Sequence, residues 1–395
     1  MSLREGMILA AFGVVFYTYL GYPFLLWVLS RFKPREKKQA PYTPAATVLI
    51  AAHNEEKWIE PTLRSLLNSD YPADLLDIVV VSDASTDRTE EMVRSLHDPR
   101  VRWHQMPRRG GKTKALREGV HQTNRDFIVL ADASSLFAPS AVRNLLRHFQ
   151  DPRVGSVVGR KGILRTGTSL AAAEGSYWHY DALLREWESR TGGSWVGCEG
   201  TITAVRKSNY DLDFGDDLAE DYSMCCRIYE RGLINRFDSQ AVAFEASAQD
   251  MLMEFRRRIR VCVRGIRALF AFGYLLNPIK HPAYFWQNIS HRLLRWIVPV
   301  LLVFILGASA GAPSPWIQGL FYSQIIFYGF AGLGILFKWR GRPLYRWAAF
   351  PAFFVTLNGA ALVSWFLVAR KYGVWDRTEH ESVGPVRTPK DGNLG

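Results

Sequence analysis

Four long apolar stretches stand out from a chain whose other positions mix polar and apolar residues. They are residues 7–29, 293–310, 316–337 and 347–369. The first is uncharged and about 23 residues long, which at about 1.5 Å of rise per residue is enough to span a bilayer. It has no small-residue cleavage site, so we predict a membrane anchor and not a signal peptide. The pattern predicts an integral membrane protein with apolar helices at both ends.

Between these ends, short apolar runs rich in β-formers alternate with helical patterns. The runs are residues 46–52, 78–82, 101–106, 127–131 and 155–159. Near-continuous apolar strands that alternate with helices are typical of a mostly parallel sheet covered on both faces. We therefore predict an α/β, Rossmann-like domain inserted between the membrane helices, with its ligands at the carboxyl ends of the strands.

A third pattern precedes the second apolar stretch. Residues 249–290 carry arginines at helical spacing beside an apolar stripe, which predicts amphipathic helices in the membrane interface, with the arginines toward headgroup phosphates or a nucleotide. The predicted organisation is an anchor, an α/β domain, interfacial helices, C-terminal membrane helices and a polar tail, with bounds 1–31, 42–248, 249–290, 291–370 and 371–395.

The charge balance supports a membrane protein whose α/β domain faces the cytoplasm. Lys and Arg number 49 against 37 Asp and Glu, a formal net charge of +12. Basic clusters at 31–38, 256–258 and 338–342 lie beside apolar stretches, as cytoplasmic flanks do. The sequence has no zinc finger, RNA-binding signature or basic tail, so we expect no nucleic-acid partner.

The basic residues after the last apolar stretch leave the membrane topology open. If residues 32–290 are cytoplasmic and each later stretch crosses once, the tail lies outside, whereas Arg370, Lys371 and Arg377 favour the inside. The number of crossings and the side of the tail therefore stay undecided.

The four cysteines lack metal-ligand spacing, and we expect buried, reduced thiols, as in a cytoplasmic domain.

Polar turns follow three of the predicted strands. Residues 53–56 follow the first strand, residues 82–87 the second, and Asp132 ends the fourth. Because parallel strands end at one edge of a sheet, carboxylates and amides there can grip a base and a ribose, and Asp132 can hold Mg²⁺ or Mn²⁺ against a diphosphate. The alternatives are helix capping by Ser85 or Thr86 and a simple turn at Asp132.

Together these motifs resemble the family-2 glycosyltransferases with a GT-A fold. The resemblance is carried by His53-Asn54-Glu55-Glu56, Ser82-Asp83-Ala84-Ser85-Thr86-Asp87, Gly111-Lys112-Thr113-Lys114-Ala115-Leu116 and Asp132-Ala133-Ser134. It covers residues 42–270 by motif and the rest by its apolar stretches. The similar branch is membrane-embedded and includes cellulose, chitin and hyaluronan synthases. Each motif alone is weak, but the set is specific.

The resemblance implies roles for individual residues. Asp221, with Glu220 beside it, would be the catalytic base, although two acids in the first turn of a helix also have a plain electrostatic explanation. Asp132 and Ser134 would hold a metal, and Trp195 and Glu199 would contact the acceptor. The implied nucleotide-binding residues are Ala52, Glu55, Asp83, Lys112, Asp132, Arg257, Arg258 and Arg260.

Two departures from the family pattern matter. Ser134 replaces the second acid of the DxD motif, which puts strict metal dependence in doubt. The QxxRW motif of processive synthases is absent and an arginine-rich segment, residues 257–265, stands in its place. The resemblance to a P-loop at residues 110–113 fails because position 106 is methionine.

The expected activity is inverting hexosyl transfer from a nucleotide-sugar, UDP-linked, to a polysaccharide or lipid-linked acceptor. The expected location is a bacterial inner membrane, in contact with lipid. Two alternatives stay open: addition of a single sugar to a lipid-phosphate carrier, and a non-catalytic membrane protein that binds nucleotide-sugars. The sequence leaves the oligomeric state undecided.

Overall fold

The computed structural model describes residues 2–33, 42–164, 168–192, 201–210, 218–246 and 251–370. The chain divides into two compact units. The helical unit comprises the described residues within Met1–Phe32, Arg165–Tyr177 and Ser247–Tyr372, and the sheet unit comprises those within Lys33–Leu164 and Trp178–Ala246.

The described helices are α1 (Leu3–Phe16), α2 (Tyr22–Arg31), α3 (Ile59–Leu67), α4 (Thr89–Arg94), α5 (Lys112–His121), α6 (Ala141–Leu146), α7 (Ser169–Thr191), α8 (Glu220–Glu230), α9 (Met251–Ala271), α10 (Pro282–Asn288), α11 (Leu294–Ser309), α12 (Pro315–Trp339) and α13 (Arg346–Leu367). Single π-helical turns join α1 to α2 and α10 to α11.

The sheet unit is built on one eight-stranded sheet with strand order 3-2-1-4-7-6-8-5. Its strands are β1 (Ala46–Ala52), β2 (Leu76–Ser82), β3 (Val101–Gln105), β4 (Phe127–Asp132), β5 (Leu136–Phe137), β6 (Val154–Ile163), β7 (Ile202–Arg206) and β8 (Ile234–Glu245). Strands β3, β2, β1 and β4 are parallel, as are β6 and β8, whereas β7 is antiparallel to both its neighbours and β5 to β8. The predicted mostly parallel α/β sheet is confirmed.

Both faces of this sheet are covered, which explains why the strands are apolar at nearly every position. Along β1, Val48 and Ile50 pack in one core cluster with residues of α3. Leu49 and Ala51, which point the other way, pack in a second cluster with residues of α5. Successive side chains of a strand alternate between faces, so two covered faces require an uninterrupted apolar run.

A close approach between β6 and β8 requires glycine at position 159. The parallel pairing of these strands shifts register between Gly159 and Arg160. A Cβ atom at Gly159 would lie 2.4 Å from the carbonyl oxygen of Ala241 and 2.8 Å from Cδ1 of Ile202. The first contact is with backbone, so the strand itself would have to move.

We expect Gly159→Ala to destabilise the sheet unit by about 1–3 kcal/mol, the usual cost of overpacking a core. Thermal unfolding of the purified full chain in detergent measures the effect. Gly175→Ala is the matched control, because a Cβ atom there on α7 meets nothing within 4 Å. It should be neutral or stabilising by up to about 1 kcal/mol through helix propensity. Equal melting temperatures for the two variants would contradict the close approach.

The helical unit contains helices long and apolar enough to cross a membrane. Four such candidates occur among the described residues: Leu3–Arg31, Pro282–Ser309, Pro315–Trp339 and Arg346–Leu367. Each overlaps one of the four stretches predicted from the sequence, which confirms that those stretches are helical and of spanning length. That these helices cross a membrane stays a prediction.

Within the helical unit, α9 is amphipathic and carries a buried ion-pair network. Glu254 lies 2.8 Å from Arg257 and 2.6 Å from Arg258, and Arg257 lies 3.6 Å from Glu174 of α7. Burial acts to raise the pKa of Glu254, but the two arginines outweigh it and hold that pKa at about 2. The guanidinium of Arg258 also lies 5.2 Å from the ring centroid of Tyr177. Both arginines therefore balance acids of their own unit, and their nucleotide role, like that of Arg260, stays a prediction.

The expectation of reduced thiols does not hold at Cys225. Cys225 forms a disulfide, whereas Cys226 and Cys262 are free. Disulfide formation depends on Cα atoms lying within about 7 Å in the folded chain, which sequence spacing does not reveal. Thiol chemistry therefore no longer argues for a cytoplasmic location.

Candidate active site

The turns after β1 and β2 interlock at one edge of the sheet. The backbone N–H of Asn54 donates to Ser85 Oγ at 3.1 Å, and that of Thr86 donates to Asn54 Oδ1 at 2.8 Å. Asn54 and Ala84 adopt left-handed backbone conformations, with φ of 57° and 54°. For alanine this conformation is uncommon, and it is tolerated where the surroundings fix it. The predicted meeting of the two polar turns is therefore present.

Helix capping does not account for Ser85 in this turn. Its hydroxyl serves the neighbouring turn, and Asp87 instead accepts the N–H of Thr89, the first residue of α4, at 3.0 Å. The backbone N–H of Glu55 donates to Thr89 Oγ1 at 2.8 Å. Ala52, at the end of β1, is fully buried. Ala52 and Glu55 therefore lie at the interlocked turns of β1 and β2, and their contact with a nucleotide stays a prediction.

Asp83 holds the loop that precedes α5. The carboxylate is fully buried and accepts the backbone N–H groups of Gly110 at 2.5 Å and Gly111 at 2.9 Å. Gly111 has φ of +90°, a conformation that favours glycine. In this structure both carboxylate oxygens bind the loop, so Asp83 positions Lys112, the first residue of α5. Its contact with the nucleotide stays a prediction.

Lys112 connects the acid at the end of β4 with the acids that open α8. Its Nζ lies 2.7 Å from Asp132 Oδ1 and 3.3 Å from Glu220 Oε1. The hydroxyl of Thr113 donates to Glu220 Oε2 at 3.2 Å. Burial alone would lower the pKa of Lys112, but Asp132, Glu220 and Asp221 outweigh it and raise that pKa above its ordinary value. The ammonium is therefore charged at every physiological pH.

The segment 110–113 thus gathers acids that are far apart in the sequence. It contacts Asp83 through backbone amides, Asp132 through the ammonium of Lys112, and Glu220 through both Lys112 and Thr113. Asp221 follows Glu220 in the first turn of α8, and its charge also raises the pKa of Lys112. Asp83, Asp132 and Glu220 therefore all contact one short segment of the sheet unit. Glu220 and Asp221 also lie in the first turn of α8, where the helix dipole stabilises negative charge.

A second layer of polar residues lies behind Asp132 and was missed in the sequence. The hydroxyl of Thr201 lies 2.5 Å from Glu245 Oε1 and 3.4 Å from Asp132 Oδ2. Glu245 is buried and ion-paired with Lys161, whose ammonium lies 4.9 Å from the ring centroid of Trp178. Glu245 ends β8 as Asp132 ends β4, but the sequence pattern did not predict β8 as a strand. The signal that could have revealed Glu245 is its position as an acidic residue at the end of a strand.

The oxygen donors at the end of β4 suit a hard divalent cation, but they are few. Asp132 is half-buried and Ser134 is buried two residues later. Among the described residues no group of three or more His, Cys, Asp or Glu side chains could hold a metal ion. Magnesium commonly uses one or two carboxylates and takes its remaining ligands from water and substrate phosphates. The donor chemistry therefore fits such an ion only together with a phosphorylated substrate. Trp195 and Glu199 lie outside the described residues.

Comparison with known proteins identifies the domain. Residues 47–211 match the family described as glycosyl transferase family 2. The chain carries a family 2 glycosyltransferase domain. The matched range includes Asp83, Lys112 and Asp132 and ends before Asp221.

Two curated relatives are similar over more than half of this chain. Probable glycosyltransferase YdaM of Bacillus subtilis is 31% identical over 241 residues, 58% of this chain and 56% of the relative. Poly-beta-1,6-N-acetyl-D-glucosamine synthase of Staphylococcus aureus is 24% identical over 268 residues, 65% of this chain and 63% of the relative. The chain therefore spans less than two thirds of the length of either relative.

A solved structure shares the architecture of this chain. It is the mannosyltransferase PcManGT from Pyrobaculum calidifontis in complex with GDP-Man and Mn²⁺, with a TM-score of 0.70 and 23% identity over 93% of this chain and 99% of that one. At this identity the likeness establishes the fold. The family 2 glycosyltransferase domain and the GT-A fold predicted from the sequence are confirmed.

Proposed function

We propose that the chain transfers a hexose, with inversion, from a nucleotide-sugar to a polysaccharide or lipid-linked acceptor at a membrane. UDP is the proposed nucleotide. The observation that carries the proposal is the meeting of Lys112 with Asp132 and Glu220 at the carboxyl edge of the sheet, beside the interlocked turns of β1 and β2. A charged lysine beside strand-end acids suits a diphosphate, and ligands of parallel sheets bind at this edge.

The proposed chemistry is a single displacement. Asp221 accepts the proton of the acceptor hydroxyl, whose oxygen forms the new bond to the anomeric carbon. The bond from that carbon to the phosphate oxygen breaks, and the nucleoside diphosphate leaves with its electron pair. Lys112, with Arg257, Arg258 and Arg260 as further candidates, stabilises the charge that develops on the diphosphate.

A divalent cation has a place in this proposal. Asp132 and Ser134 would hold Mg²⁺ or Mn²⁺ together with phosphate oxygens, and the ion would neutralise charge on the leaving diphosphate. The Mn²⁺ named with the mannosyltransferase of the same fold supports this role. Acceptor contacts are proposed for Trp195 and Glu199.

The candidate spans and the polysaccharide synthase among the relatives support action at a membrane. We propose the inner membrane of a bacterium, with the glycosyltransferase domain in the cytoplasm. One observation favours a second candidate, the addition of a single sugar to a lipid-phosphate carrier. The arginine-rich segment 257–265 lacks the tryptophan of the QxxRW motif that processive synthases carry.

Nucleotide release from the purified full chain tests the proposed function. The chain is incubated in detergent with a panel of UDP- and GDP-sugars and a lipid extract as acceptor, with and without Mn²⁺. We expect one donor to release nucleotide well above the others, and the product length on a gel to distinguish a polymer from a single addition. Binding of a donor without release of its nucleotide, under all conditions, would favour a non-catalytic nucleotide-sugar-binding protein.

A further inference from the structure

The ammonium of Lys112 lies where a divalent cation would need to contact the protein. It is 2.7 Å from Asp132 Oδ1 and 3.3 Å from Glu220 Oε1, so it contacts the carboxylate proposed as the metal ligand and a second carboxylate from α8. Lys112 is 17% exposed, Asp132 29% and Glu220 14%, so solvent screens this cluster only partly. The ammonium of Lys112 thus lies between the carboxylates of Asp132 and Glu220.

Several contacts fix Lys112 in this position. The backbone amides of Gly110 and Gly111 donate to the buried Asp83, which anchors the chain just before the lysine. Thr113, the next residue, donates its hydroxyl to Glu220. A lysine held on both sides is not a mobile surface cation that happens to reach an acid. Lys114, on the same helix, is exposed.

The ammonium of Lys112 and a divalent cation would repel each other strongly if both contacted the carboxylate of Asp132. Charges at contact distance interact strongly because the site is partly buried. The strand-end motif supplies one carboxylate, Asp132, since Ser134 stands where a second acid would help to displace the lysine. A divalent ion therefore has to displace the ammonium of Lys112 before it can contact Asp132.

We propose that Lys112 is a built-in counter-ion that keeps divalent cations from Asp132 in the nucleotide-free protein. A diphosphate attracts the ammonium and exposes Asp132 to the ion, so nucleotide and metal bind with positive coupling. The nucleotide part of this inference rests on the proposed function, whereas the competition between Lys112 and the metal does not.

Direct Mn²⁺ binding to the full chain in detergent, followed by the electron paramagnetic resonance signal of free Mn²⁺, tests the proposal without any transfer reaction. The variants are Lys112→Met, which removes the charge at similar length, and Lys114→Met as the matched control. Without nucleotide, Lys112→Met should bind Mn²⁺ at least about tenfold more tightly than the wild type and Lys114→Met, a change within the usual range of coupling between sites. UDP should tighten Mn²⁺ binding to the wild type and have a smaller effect on Lys112→Met.

Two further measurements keep the result decisive. Adding Asp132→Asn to Lys112→Met should abolish the gain, and Lys112→Gln serves if the methionine variant does not fold. Equal Mn²⁺ affinity for the wild type and a folded neutral variant, or a gain that survives Asp132→Asn, would overturn the proposal. Failure of the nucleotide-release screen would refute the proposed function but leave this metal measurement intact.

Discussion

Asp221→Asn is expected to abolish sugar transfer while leaving nucleotide binding largely intact. An amide cannot take the proton of the acceptor hydroxyl, and a positioned general base typically contributes about 10²–10⁴-fold to the rate. The substitution is nearly isosteric, and the hydrogen bond from the N–H of Tyr222 to Asp221 Oδ1, at 2.7 Å, can be retained by the amide oxygen. The first turn of α8 should therefore keep its conformation.

Two readouts separate the base from a structural role. Nucleotide release gives the rate, and equilibrium binding of the nucleotide in the absence of acceptor gives the affinity. Glu118→Gln removes an exposed acid from α5 and is the matched control, expected to behave like the wild type in both. Turnover close to that of the wild type in Asp221→Asn would remove Asp221 from the mechanism.

The second large effect is expected at the buried ion pair behind Asp132. Lys161→Met should destabilise the protein by about 3–5 kcal/mol, the usual cost of leaving one charge of a buried pair without its partner. The side chains of Lys161 and Glu245 are only 5% and 7% exposed. Solvent therefore cannot replace the lost ammonium. The measurement is thermal unfolding of the full chain in detergent.

An exposed ion pair of the same sheet unit supplies the control. Arg64 and Glu60 lie 2.8 Å apart with side chains 61% and 33% exposed, and such pairs contribute about 0–1 kcal/mol. Arg64→Met should therefore melt close to the wild type. Adding Glu245→Gln to Lys161→Met should recover much of the loss, because the uncompensated charge is then gone. Similar melting of Lys161→Met and Arg64→Met would contradict the burial of the pair.

Local patterns in the sequence determined the class of fold and the edge at which the site lies. The apolar run 46–52 predicted β1 correctly because a strand covered on both faces has no solvent-facing position to mark with a polar residue. The polar turn after it and the one ending in Asp87 could be placed together, since parallel strands end at the same edge. The four apolar stretches likewise predicted helices of spanning length, because that length is a property of consecutive residues.

Only the tertiary structure decided which buried charges are partners. Asp83 binds the amides of Gly110 and Gly111, Lys112 lies between Asp132 and Glu220, and Lys161 pairs with Glu245. The strand order 3-2-1-4-7-6-8-5 decides which strand ends, and therefore which of these side chains, lie close together. Sequence periodicity assigns a residue to a face or an edge, but it carries no information about which distant element lies beside it. The disulfide at Cys225 and the pairing of Arg257 and Arg258 with Glu254 went unpredicted for the same reason.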